Sequence, residues 1–183
     1  MTQGRLLTGG EFWDVLTGFD HTLTRLELQD RYTEASEAEL LAAWTAGDPF
    51  PATEVPGLRD WYDNVSAHVA AGGRVERVRV QQDPPTSYQQ FERWLDRWNL
   101  ESGEVMRYLT RERAFEIGLL PAAGNEDWWL ADSARLVIMR FDSEGHRIEN
   151  ELVTDPVTVL QACKWRDLAV HHSVRVHHSD VAA

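Results

Sequence analysis

Between residues 74 and 109 the chain reads strand, long helix, strand, and this triplet constrains the fold more than any other stretch. RVERVRV (74–80) alternates, with Val78 and Val80 facing one way and Arg77 and Arg79 the other. From Thr86 to Glu101, Tyr88, Phe91, Trp94, Leu95 and Trp98 fall on one helical side, while Gln90, Arg93 and Arg97 fall on the opposite one. Val105 to Leu109 is strand-like again. A crossover of that length is long enough to bring the second strand back parallel to the first. The chain is therefore α/β or α+β, with a sheet flanked by helices, and not a bundle or a barrel.

The flanking sequence agrees. Before the triplet come a short helix (about Gly10 to Leu16), a strand (Thr22 to Gln29, with Leu26 and Leu28 on one face) and a helix (Ser36 to Ala46). Residues 47–57 (GDPFPATEVPG) hold three prolines and two glycines and read as a hinge. Leu58, Trp61, Tyr62, Val65 and Val69 then form one apolar helical face, which Gly72–Gly73 ends. After Val105–Leu109, Thr110 caps a small helix, and strands follow at Trp128–Ala131 and Leu136–Phe141. A DSEG turn leads to a hairpin partner, Arg147–Val153, and Asp155–Pro156 starts a helix reaching at least His172. With 183 residues and 43% hydrophobic content, one domain over 1–183 is expected. Within it, an N-terminal segment, 1–50, is expected to pack on an α/β core, 55–183.

Charge and cysteine content narrow the function. A formal charge of −12 opposes direct binding to a nucleic-acid backbone. No run approaches 18 apolar residues and MTQGRLLTGGEF lacks an apolar signal core, so the expectation is a cytoplasmic protein without membrane contact. The single cysteine, Cys163, excludes an internal disulfide framework and reads as an inert mid-helix thiol. Seventeen arginines against one lysine, Lys164, run along the whole chain, which points to a GC-rich genome more than to any one site.

The stretches LELQDRYTEASEAE, AGGRVERVRV, SYQQFERW, GEVMRYLTRERA, DWWLADSARLVIMRFDSEG and VTDPVTVLQACKWRDLAV, in this order, resemble a family of uncharacterised actinobacterial proteins encoded beside or fused to helix-turn-helix regulators. The same order is similar to the phospholipase-D-like domain. That likeness implies a mixed sheet flanked by helices. The catalytic form of that superfamily needs His-x-Lys followed by Asp. Here Ala162 stands two places before the only lysine, so the likeness implies the fold and not the hydrolase chemistry.

No nucleophile elbow and no phosphate-cradling glycine loop occurs, and no catalytic residue or cofactor is assigned. His171, Arg175 and His178 lie at helical spacing with His172 nearby, but no carboxylate falls at ligand spacing inside the motif; a solvated tail is expected there, and no metal site is assigned. His68 reads as a packing residue at a core edge. An acid–base pair could be drawn from Asp127, Asp132, Asp142 and Glu144, but turn and cap residues on an acidic surface are the expected reading. The best candidate site combines Arg77, Arg79 and Arg107, on strands made neighbours by the crossover, with Tyr88, Trp128 and Trp129. Forked donors beside flat rings suit a planar anionic ligand. Core tryptophans with solvent-facing arginines are the competing explanation.

Two functions are therefore expected. One is a non-catalytic regulatory or adaptor module that binds a helix-turn-helix regulator as protein partner and senses a small anionic ligand. The alternative is an enzyme acting on a phosphorylated or nucleotide-like small molecule.

Overall fold

A computed structural model describes residues 4–181. In chain order the elements are β1 (Arg5–Leu6), α1 (Gly9–Thr17), β2 (Thr22–Glu27), α2 (Ala38–Thr45), α3 (Pro56–Ala70), β3 (Arg74–Gln81), α4 (Ser87–Glu101) and β4 (Val105–Thr110). They continue with α5 (Arg111–Glu116), β5 (Asp127–Ala131), β6 (Arg135–Phe141), β7 (Arg147–Val153), α6 (Pro156–His172) and β8 (Val174–Arg175). The strands form one mixed sheet in the order β1-β7-β6-β5-β2-β3-β4-β8. β2, β3 and β4 are parallel, and every other pairing is antiparallel.

Local chemistry explains the element boundaries. Thr86 accepts a hydrogen bond from the Gln89 amide, and the Gln89 side chain accepts from the Thr86 amide in return. This capping box starts α4 and is worth about 1 kcal/mol. Thr110 caps α5 by accepting from Arg113, and Asp155 caps α6 by accepting from Thr158. Gly103 turns the chain from α4 into β4 at φ +92°, where a Cβ would meet Val69 Cγ1 at 3.0 Å. Only glycine fits that turn without strain.

The two sheet faces carry separate cores. Leu23, Val75, Trp129 and Val137 pack under α1, α3 and α4, whereas Leu26, Val78, Val80 and Trp128 pack under α5 and α6. Strand alternation alone produces this division.

Three expectations need correction. The described part of the expected N-terminal segment, residues 4–50, is not laid over a separate core: its strand β2 pairs with β3 on one side and β5 on the other, at the centre of the sheet. The proline-rich stretch 47–57 is not a loose hinge, because Ala52 and Val55 are buried in the first core. The helical spacing of His171, Arg175 and His178 does not hold, since α6 ends at His172 and Val174–Arg175 pairs with β4 as an edge strand. His68 stacks on Phe19 with centroids 4.1 Å apart and its Nδ1 contacts the Asn64 carbonyl, a packing role.

Candidate functional site

On the face under α1, α3 and α4, strands β2 and β3 present charge where an apolar floor would be ordinary. Leu23, Arg25 and Glu27 alternate onto this face from β2, and Val75, Arg77, Arg79 and Gln81 from β3. The register pairs Arg25 with Arg77 and Glu27 with Arg79. The result is a cavity of about 310 Å³ above the sheet centre. Its floor includes Arg25, Glu27, Arg77, Arg79 and Trp129, and its walls include rings from α1, α3 and α4.

Glu27 is the hub. Its Oε1 lies 2.8 Å from an Arg77 terminal nitrogen and 3.0 Å from Arg25 Nε, while its Oε2 accepts from Arg79 Nε at 2.7 Å. Each arginine also reaches an outer carboxylate. Arg25 meets Asp127 at 3.3 Å, Arg77 meets Glu104 at 2.9 Å, and Arg79 pairs with Asp96 and lies 3.5 Å from Glu92. Burial pushes the Glu27 carboxyl upward, but the three guanidiniums outweigh it and hold the group down at about 2. Charge here is paired, as buried charge must be.

The outer carboxylates behave differently. Burial pushes Glu92 up to about 8, and the repulsion of Glu27 and Asp96 adds to it against the pull of Arg79 and Arg25. Burial likewise raises Asp96 and Asp127 against the pull of Arg79 and Arg25 respectively. Both are helped by phenols: Tyr108 donates to Asp96 and Tyr32 donates to Asp127. Glu37, raised by burial, accepts from Tyr88 at 3.2 Å.

Aromatic rings complete the site. The Arg25 guanidinium lies 5.3 Å from the centre of the Trp129 ring and the Arg77 guanidinium 5.5 Å from it. Arg77 also lies 5.9 Å from Trp61, whose indole nitrogen donates to Glu104. Trp129 lines the cavity, and its indole nitrogen is buried with no hydrogen-bond partner among the described residues. The arrangement therefore places forked donors and flat rings around the cavity.

Four of the six residues singled out from sequence, Arg77, Arg79, Tyr88 and Trp129, line this cavity. Arg107 and Trp128 do not. Arg107 donates to Glu76 at 2.6 Å, and Trp128 is buried among Leu26 and Val78 in the other core. The arginines are not solvent-facing: Arg79 is 3% exposed and sits on a central strand. The paired aspartates separate as well. Asp127 joins the network, whereas Asp132, at the other end of β5, accepts from the amides of Asp20, His21 and Thr22. Sequence reading missed Arg25, Glu27, Glu92 and Asp96. For Glu92 and Asp96 the signal is a polar stripe on α4, with Gln89, Glu92, Asp96 and Asn99 at helical spacing and all buried.

The fold is phospholipase-D-like. The chain is similar to the phospholipase D family member Nuc from Salmonella typhimurium (TM-score 0.53, 10% identity, 91% of each chain covered). It is also similar to NucT from Helicobacter pylori (TM-score 0.52, 12% identity, 95% of this chain and 99% of that one). No curated protein matches in sequence. A model of one family spans residues 10–178, and with that coverage the chain belongs to the family described as Domain of unknown function (DUF6879).

Proposed function

We propose that this chain is a non-catalytic regulatory module whose cavity takes a small, flat, anionic ligand, and whose occupancy is read by a helix-turn-helix regulator as its protein partner. The observation that carries this reading is the placement of Arg25 and Arg77 over the Trp129 ring, both already holding the Glu27 carboxylate. A ligand oxyanion that replaces Glu27 as partner exchanges one ion pair for another. The arginines stay paired, and Glu27 keeps its bond to Arg79, so neither charge is left without a partner. The ligand's ring lies against tryptophan and tyrosine, and α1 and α3, which wall the cavity through Trp13 and Trp61, carry the change outward.

A second reading, an enzyme acting on a phosphorylated or nucleotide-like molecule, is favoured by Glu92. A carboxyl pushed up to about 8 beside a cavity retains a proton at neutral pH and can donate it. Against it stands the sequence, which has no His-x-Lys pair. One experiment separates the two. The protein is purified from its own cells and denatured, and the released small molecules are resolved by mass spectrometry; in parallel, a chromogenic phosphodiester is offered as substrate. A stoichiometric anionic compound without turnover supports the module. Turnover that disappears in Glu92→Gln supports the enzyme.

A further inference from the structure

A separate cavity of about 260 Å³ lies at the C-terminal ends of β3 and β4. Gln81, 3% exposed, lines it. Arg93 Nε donates to Gln81 Oε1 at 2.9 Å. A guanidinium accepts nothing, so this contact fixes which end of the amide faces Arg93. The amide nitrogen is left buried and without a partner in the protein. A buried donor in that state calls for an acceptor.

The surroundings supply more donors. Arg93 has no carboxylate partner among the described residues; its guanidinium lies 4.7 Å from the centre of the Tyr108 ring, whose hydroxyl is already committed to Asp96. Arg93 is exposed to solvent as well as bonded to the buried amide, so its guanidinium is accessible to an incoming anion. Arg113 lines the same cavity, donating to His172 Nδ1 at 3.3 Å and pairing with Glu116 at 2.8 Å. Thr110 Oγ1 accepts from the Arg113 amide, which leaves its hydroxyl hydrogen to donate. Asp83 is the one carboxylate among the lining residues.

We propose that this cavity binds the phosphate group of a small phosphate ester. Donors arrive from β3, α4 and α5, from different directions. That suits a tetrahedral oxyanion, whose oxygens spread in space, better than a planar carboxylate. The volume exceeds that of a phosphate ion and leaves room for a small alcohol part. The two cavities share no lining residue, and this proposal rests on no function assigned to the larger one.

The test is a titration of the full chain followed by two-dimensional NMR, observing the Gln81 side-chain amide and the Arg93 Nε–H. The probes are glycerol phosphate and inorganic phosphate, with sodium chloride at matched ionic strength as control. Saturable shifts of both groups, absent with chloride, are expected. Arg93→Gln should weaken binding at least tenfold while leaving the melting temperature within about a degree, and Arg113→Gln should weaken it less, because Glu116 already holds part of its charge. Tighter binding of glycerol phosphate than of inorganic phosphate assigns the site to an ester; the reverse overturns the ester and leaves a free-phosphate site. Shifts that never saturate, that chloride reproduces, or that survive unchanged in Arg93→Gln overturn the proposal.

Discussion

Arg79 Nε donates to Glu27 Oε2 at 2.7 Å, across the register pair that joins β2 to β3 at the centre of the sheet. Two parallel strands thus hold opposite charges at one level, and Glu27 gathers Arg25 and Arg77 as well. Glu27→Gln removes the charge that three buried guanidiniums share. Breaking a buried ion pair from one side typically costs about 3–5 kcal/mol. Urea denaturation should show a loss in that range, and a loss below about 1 kcal/mol would mean that the outer carboxylates alone satisfy the arginines.

Stability should depend on pH in two windows of opposite sign. Glu27 sits below its ordinary 4.5 in the folded state, so its contribution is present in full above about pH 4.5 and is lost as the pH falls toward about 2. Glu92 sits above 4.5, so its contribution is present in full below about pH 4.5 and is lost as the pH rises toward about 8. Denaturation midpoints between pH 5 and pH 9 should therefore decline with rising pH, and Glu92→Gln should flatten that decline. An unchanged slope in the variant would assign the decline to another group.

Trp98 is 9% exposed within the first core, stacked edge-on against Trp94 with centroids 4.7 Å apart. Trp98→Ala should cost about 3–5 kcal/mol, from lost transfer energy and a cavity. Trp94 is only half-buried, though it stacks on Phe91, so Trp94→Ala should cost clearly less. Chemical denaturation of the two variants compares them directly, and equal losses would contradict the burial difference.

Duplex DNA should not bind at physiological salt. The net charge of −12 repels the phosphate backbone, and the arginines of the network are neutralised by carboxylates. A gel shift at 150 mM salt with submicromolar affinity would refute this.

Much of the fold was legible because it is written in local patterns. The crossover from β3 through α4 to β4 follows from alternation on both sides of an amphipathic helix, and the caps at Thr86, Thr110 and Asp155 are read from residue type. What local pattern does not carry is pairing. Arg77 and Arg79 share a face by alternation within β3, but whether Arg107 joins them depends on the phase of β4 against β3, and that phase sets Arg107 on the opposite face with Glu76. Trp128 and Trp129 are adjacent, so only one of them can face the cavity, and sequence does not say which. Glu27 and Arg25 alternate with Leu26 and Leu28, a pattern that ordinarily marks a solvent face. Only the central position of β2 turns that face inward. The buried polar stripe of α4 was missed for the same reason: Glu92 and Asp96 look solvated until the strand beneath them proves to carry arginine.

The indole N–H resonances offer the most direct test of the central cavity, because Trp129 and Trp128 are neighbours in sequence on opposite sheet faces. Phenyl phosphate, a flat ring bearing an oxyanion, is titrated into the 15N-labelled chain, with Trp129→Phe and Trp128→Phe spectra assigning the two signals. The expected result is a saturable shift of Trp129, accompanied by Trp61, with Trp128 unmoved. A Trp129 signal that stays still while the ligand binds elsewhere, or a Trp128 signal that moves equally, would contradict the placement of ligand binding at the Arg25–Glu27–Arg77 cavity.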